Sequence, residues 1–118
     1  MGDNVALGAE GERIAAEYLT AQGLSILERN WRSRHGEIDL IATDRGALVF
    51  VEVKTRTGVG FGLPAEAVTA VKQRRIRLLA VEWMRASGRG WPRLRFDVVS
   101  VLLERGRDPR VDHLEDAF

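Results

Sequence analysis

The sequence predicts one α/β domain, a mixed sheet of about five strands flanked by helices, in the order α-β-β-β-α-β-β. Three observations predict it. Two stretches, from about Val5 to Gln22 and from Pro64 to about Ala86, carry apolar residues at helical spacing. Two Val- and Ile-rich runs, Ile38–Ala42 and Leu48–Thr55, flank the turn signal Asp44-Arg45-Gly46 and read as an antiparallel hairpin. A further run, Val98-Val99-Ser100-Val101-Leu102-Leu103, is nearly continuous in apolar residues, as a strand buried on both faces requires.

In the first helix, Ile14, Ala15, Tyr18 and Leu19 form the apolar face, and Gly23 is placed as a stop. Glu12 borders that face. Leu24–Arg29 reads as a short strand and Asn30–Arg34 as a polar connection. The Gly58–Pro64 segment is rich in glycine and reads as a loop; it lacks the Gly-Lys-Ser/Thr ending of a phosphate cradle. Pro64 suits a helix start, and Glu66 suits a first turn. Val68, Val71, Ile76, Leu79 and Trp83 make most of the second helix's stripe, and Ser87-Gly88-Arg89-Gly90 ends it. Arg95–Leu103 is a strand, Gly106–Pro109 a turn, and Arg110–Leu114 a short edge strand.

A chain of 118 residues suffices for one compact domain, here expected over residues 1–118. Hydrophobic residues make up 45% and charged residues 30%, which suits a globular protein. The net charge of +1 excludes a strongly basic chain, so any anionic partner must be met by a local patch. The absence of cysteine removes disulfides and thiolate metal sites. No apolar run approaches the ~20 residues that span a bilayer, and the first residues do not resemble a signal peptide. A cytoplasmic protein with no membrane partner is expected.

The chemistry concentrates between His35 and Arg56. Side chains alternate along a strand, so Glu52 and Lys54 share a face with Phe50 and Arg56. Glu37 and Asp39 share a face with Ile41. If the hairpin turns tightly on Arg45-Gly46, Asp39 lies opposite Glu52 and Glu37 opposite Lys54, with Cβ atoms ~4.5–5.5 Å apart. Two carboxylates that close repel each other unless a cation neutralises them. An oxygen-rich site suits Mg²⁺ or Mn²⁺, completed by water and a substrate phosphate. Asp39 and Glu52 are the expected ligands, with the backbone carbonyl of Val53 a third, and Lys54 is the expected catalytic cation. Glu12 could reach the same site from above the sheet, and Glu37 is a further candidate acid. The plainer alternative is a wet sheet face with a Glu37–Lys54 ion pair, worth only ~0–1 kcal/mol if exposed.

These residues also carry a resemblance. The segments Gly8-Ala9-Glu10-Gly11-Glu12, Asn30-Trp31-Arg32, Gly36-Glu37-Ile38-Asp39-Leu40-Ile41-Ala42, Phe50-Val51-Glu52-Val53-Lys54-Thr55-Arg56 and Arg95-Phe96-Asp97-Val98-Val99 stand in matching order and spacing. So do Ala15, Ala16, Tyr18 and Leu19, Phe61-Gly62 with Pro64, Lys72, and Ala117-Phe118. The chain thereby resembles the bacterial YraN-like family, related to archaeal Holliday-junction resolvases in the PD-(D/E)XK nuclease superfamily. The resemblance implies a restriction-endonuclease-like core in which Asp39, Glu52 and Lys54 take the metal-ligand and lysine roles and Glu12 that of the helical acid. It also implies branched DNA as a substrate, and a homodimer, because resolvases act on two strands from a two-fold pair. The Pro that precedes the superfamily's first Asp is replaced here by Ile38.

Lys72, Arg75, Arg32, Arg34 and Arg56 are candidate contacts to DNA phosphates. Arg74 and Arg77 fit a solvated helix face better. His35 is a candidate ligand or base, although a loop histidine is more often neither. Trp31 and Trp91 are open to base stacking, whereas Trp83 fits the core. Asp97 reads equally as a further acid of the site or as a structural partner of an arginine. The leading expectation is a Mg²⁺- or Mn²⁺-dependent endodeoxyribonuclease. The alternatives are a DNA-binding or scaffold module that does not cleave, and a small interaction domain without nucleic acid.

Overall fold

The structure is a computed structural model. It describes residues 2–58, 68–88 and 90–118, with side chains from residue 5 onward. Its described elements are helix α1 (Gly2–Ala21), strands β1 (Ser25–Ser33), β2 (Gly36–Asp44) and β3 (Ala47–Arg56), helix α2 (Ala70–Ser87), and strands β4 (Leu94–Leu102) and β5 (Arg110–Leu114). The five strands lie in the sheet in chain order. β3 and β4 run parallel, joined through α2, and every other neighbouring pair is antiparallel. The expected mixed α/β sheet and its order of elements are therefore present.

The β2–β3 hairpin turns on Arg45 (φ 48°) and Gly46 (φ 84°), both left-handed. That is the backbone of a two-residue turn whose twist matches the strands it joins. The pairing runs from Asp44↔Ala47 to Leu40↔Val51 in the register the tight turn predicts.

Each face of the sheet is covered by one helix. Ala15, Ala16 and Leu19 of α1 pack on Leu40, Ala42, Val49, Val51, Val99 and Val101. Ile76, Leu79, Ala80 and Trp83 of α2 pack on Ile41, Leu48, Phe50, Phe96 and Val98. Alternation along β3 thus sends Val49 and Val51 toward α1 and Leu48 and Phe50 toward α2. Gly11 is where α1 comes closest: a Cβ there would collide with the Thr55 side chain. The C-terminus closes the α2 side, with Phe118 stacked on Phe96 at 5.3 Å and Arg77 over the Phe96 ring at 4.7 Å.

Several boundaries differ from those expected. Residues 30–33 are not a polar connection: β1 continues through them, pairing Trp31 with Ile38 and Arg32 with Glu37. An edge strand needs only its backbone to pair on one side, so polar side chains do not end it. α1 begins at Gly2, before the periodic residues do. α2 begins at Ala70, where the Thr69 side chain accepts from the Lys72 N–H. The expected start at Pro64, and the glycine-rich loop before it, lie outside the described residues. Val71 is 57% exposed and leaves the predicted stripe. It stands about 140° round the helix from Ile76, at ~100° per residue.

Candidate metal and nucleic-acid site

Asp39 sits at a break in the sheet. The β2–β3 ladder stops at Leu40↔Val51, and the Val53 N–H donates to Asp39 Oδ2 at 2.8 Å. On the other side, the β1–β2 ladder passes from Arg29↔Leu40 to Trp31↔Ile38 and omits Asn30, whose φ is 51°. Ile38 and Ile41 both pack in the α2-side cluster. Residues three apart on an unbroken strand would point to opposite faces. The alternation of β2 is therefore interrupted at Asp39, and the carboxylate occupies the gap between β2 and β3.

Glu52 continues the face of Phe50 and so looks toward α2. Asp39 is 7% exposed and Glu52 8%. The two carboxyl groups are hydrogen-bonded to each other. Burial, then the hydrogen bond and charge of Glu52, push Asp39 up to about 9. Burial also pushes Glu52 up, but its bonds to Asp39 and Lys72 outweigh this and hold it below the usual carboxylate range. Asp39 is thus the more basic carboxyl of the pair and Glu52 the more acidic.

Two lysines meet the Glu52 carboxyl. Lys72 Nζ, from the first turn of α2, lies 2.7 Å from Glu52 Oε2, and Lys54 Nζ lies 3.6 Å from it. Burial and the neighbouring Lys72 lower the Lys54 pKa against the pull of Glu52. Burial would lower Lys72 too, but its bond to Glu52 prevails and raises it. Glu12 reaches in from α1. Burial first, and then the charge of Glu37, raise its pKa, opposed by hydrogen bonds with Asn30 and Asp39. These groups line one open cleft of about 300 Å³, with Arg75 among its walls.

The structure brings together Asp39, Glu52, Lys54 and Glu12, with Val53 contributing its N–H to Asp39. Glu37 lines the cleft but does not pair with Lys54 as the plainer reading expected: it bonds Arg32 Nε at 2.9 Å. Arg32 is its direct cross-strand partner on β1. Lys72, expected as a phosphate contact, is a direct partner of Glu52. Its position was legible in outline: it stands four residues before Ile76 on the buried stripe, and β3 parity sends Glu52 to the same side.

Other candidates lie elsewhere. His35 bonds Glu82 through Nδ1 at 3.0 Å and does not line the cleft. Arg34 is exposed in the β1–β2 turn, and Arg56 ends β3. Trp83 is buried and donates to Glu28 at 2.9 Å. Trp31 and Trp91 pack partly buried against the α2-side core. Asp97 belongs to a separate network: it accepts two bonds from Arg95, each 2.9 Å, one from the Asp116 N–H at 3.0 Å, and pairs with His113 at 2.7 Å. It is a structural acid, not a member of the cleft.

Among the described residues, no three His, Asp or Glu side chains are grouped as a ready-made metal cage. The donors present still fit a hard divalent cation. The Asp39 and Glu52 carboxyl oxygens are donors such a cation could take, and the Lys72 and Lys54 ammoniums stand 2.7 and 3.6 Å from Glu52 Oε2. No described helix is long and apolar enough to cross a membrane.

Comparison with known proteins matches this sequence to one family. The family model "Uncharacterised protein family UPF0102" matches residues 11–101. A UPF0102 protein of Rhodococcus jostii is 63% identical over 118 residues, covering 100% of both chains. One of Nocardia farcinica is 54% identical over 118 residues, covering 100% of this chain and 93% of its own. One of Mycolicibacterium smegmatis is 56% identical over 110 residues, covering 92% of this chain and 89% of its own.

Proposed function

The chain belongs to the UPF0102 family, and we propose that it is a Mg²⁺- or Mn²⁺-dependent endodeoxyribonuclease that hydrolyses phosphodiester bonds. The observation that carries the proposal is the buried, hydrogen-bonded Asp39–Glu52 pair with two lysines on it. Burying two carboxyl groups in contact costs stability that apolar residues at the same places would not. Such an arrangement in an open cleft is what a functional site tolerates and a core does not.

Asp39 and Glu52 would hold the cation, with Glu12 and the Val53 carbonyl as further oxygen donors. A bound divalent cation would polarise a phosphate oxygen and favour attack of water on phosphorus. Lys54 Nζ would donate to the negative charge that builds on the phosphate oxygens. Arg75 at the cleft wall, and Arg32, Arg34 and Arg56 beyond it, would anchor neighbouring phosphates. The resemblance of residues 36–42 and 50–56 to YraN-like proteins and the PD-(D/E)XK nucleases supports the same assignment. It also supports a restriction-endonuclease-like core, branched DNA as substrate, action as a homodimer and a cytoplasmic location.

The test is incubation with linear, nicked and four-way-junction DNA in EDTA, Mg²⁺ or Mn²⁺, for the natural chain and for Glu52→Ala and Lys54→Ala. Metal-dependent cutting that both variants lose is the expected result. One observation favours a second reading, a DNA-binding module that does not cleave: Lys72 already neutralises Glu52. Salt-sensitive binding without cutting under any metal condition would select it.

A further inference from the structure

Glu52 holds its two lysines unequally. Lys54 projects from the same face of β3, two residues on, and its Nζ stops 3.6 Å from Oε2 with the side chain 23% exposed. Lys72 comes from α2, reaches 2.7 Å from the same oxygen and keeps its side chain 40% exposed. Its backbone N–H is held by Thr69 Oγ1 at 3.2 Å, so the flexible stem pivots from a fixed base. An ammonium at this distance takes one lone-pair site of Oε2 and places a positive charge beside the position a divalent cation would occupy. The two positive charges repel each other there, so they compete for that oxygen.

We infer that Lys72 is a displaceable internal counter-cation. It neutralises Glu52 while the metal position is empty, yields Oε2 when a divalent cation enters, and then binds a phosphate of the nucleic acid. The inference rests on the nuclease reading above and adds a regulated step to it. It divides the two lysines: Lys54, confined by its strand, stays beside the reacting phosphate, and Lys72, the more exposed, changes partner. It is a positioning residue, acting on metal entry and substrate hold. The arrangement couples the two binding events, because the cation that enters frees the ammonium that meets the phosphate.

The test measures Mn²⁺ binding by calorimetry without DNA, for the natural chain, Lys72→Gln, Lys72→Ala, Arg75→Gln and Glu52→Gln. Both Lys72 variants should bind Mn²⁺ tighter by about tenfold, the size of one charge-assisted hydrogen bond removed from competition. Arg75→Gln removes a cation from the same cleft and should stay within about twofold, since charge across a wet cleft is screened. Glu52→Gln should lose binding. A second readout is anisotropy of a labelled four-way junction with Ca²⁺ or with EDTA. Lys72→Gln should weaken DNA binding with Ca²⁺ and leave it unchanged in EDTA, where Lys72 is tied to Glu52.

Mn²⁺ affinity that is equal or weaker in both Lys72 variants, with Glu52→Gln still abolishing it, would overturn the inference and leave the nuclease reading standing. So would an equal loss of DNA affinity with and without Ca²⁺. Failure of every variant and of the natural chain to bind Mn²⁺ would overturn both.

Discussion

The Val53 N–H donates to Asp39 Oδ2 at 2.8 Å. In an unbroken ladder Val53 would face Ile38, and its N–H would look to a backbone carbonyl. A carboxylate stands there instead. One backbone hydrogen bond is thereby kept satisfied while the strands part, and the parting makes room for Glu52, Lys54 and the first turns of α2 around a single cleft.

Asp39 should make the metal-free protein less stable as pH rises. Its folded pKa, pushed up to about 9, lies above the unfolded value near 3.8. Between those values the folded state binds more protons than the unfolded one, so stability falls as pH rises through that window. Asp39→Asn should flatten the slope. Thermal unfolding in EDTA from pH 5 to 9 should show the midpoint of the natural chain falling more steeply than that of the variant. At pH 7, binding of Mn²⁺ should release about one proton, seen in calorimetry as a heat that depends on the buffer. A buffer-independent heat would show that the proton is not exchanged for the metal.

Gly11→Ala should destabilise the fold. The new methyl would enter the space of the Thr55 side chain. Overpacking of this kind costs ~1–3 kcal/mol, and the neighbouring Glu12 would be carried away from the cleft with the shifted helix. Urea titration of Gly11→Ala, Thr55→Ala and the double variant should show the double losing less than the sum of the singles. Strict additivity would mean that α1 and β3 do not press on each other here.

Thr69→Ala should cost ~1 kcal/mol through loss of the α2 cap. Thr69 accepts from the N–H of Lys72, whose ammonium holds Glu52. The variant should therefore also bring Mn²⁺ affinity partway toward that of Lys72→Gln. Lower stability with unchanged Mn²⁺ affinity would separate the cap from the site.

Asp97→Ala should cost ~1–3 kcal/mol, because it removes the two-point partner of Arg95 while Asp44 and Glu115 still neutralise the guanidinium. Burial would raise the Asp97 pKa, but His113, Arg95 and the Asp116 N–H together hold it below the usual carboxylate range. Its stabilising contribution is thus complete above about pH 4 and is lost as pH falls through the lowered folded value. Denaturation midpoints from pH 2 to 6 should show this acid-side loss in the natural chain and not in the variant. DNA cutting by the folded variant should be retained, since Asp97 does not line the cleft.

The sequence by itself determined the elements, their order and the hairpin. Val- and Ile-rich runs around Arg45-Gly46 imply one register, and the structure has it from Asp44↔Ala47 to Leu40↔Val51. Parity then sends Glu52 and Lys54 to the side of Phe50. These are local properties, set by alternation and turn chemistry within a few residues. Only the tertiary structure decided which groups meet there. The register predicted Glu37 across from Lys54, but the β2–β3 ladder ends at Leu40↔Val51 and Glu37 pairs with Arg32 opposite it on β1. Lys72 comes to Glu52 because α2 packs on that face, and His113 and the Asp116 N–H come to Asp97 because β5 and the C-terminal residues lie beside β4. Contacts between elements far apart in the chain depend on how faces pack and where a ladder breaks. The spacing of charges along one strand records neither.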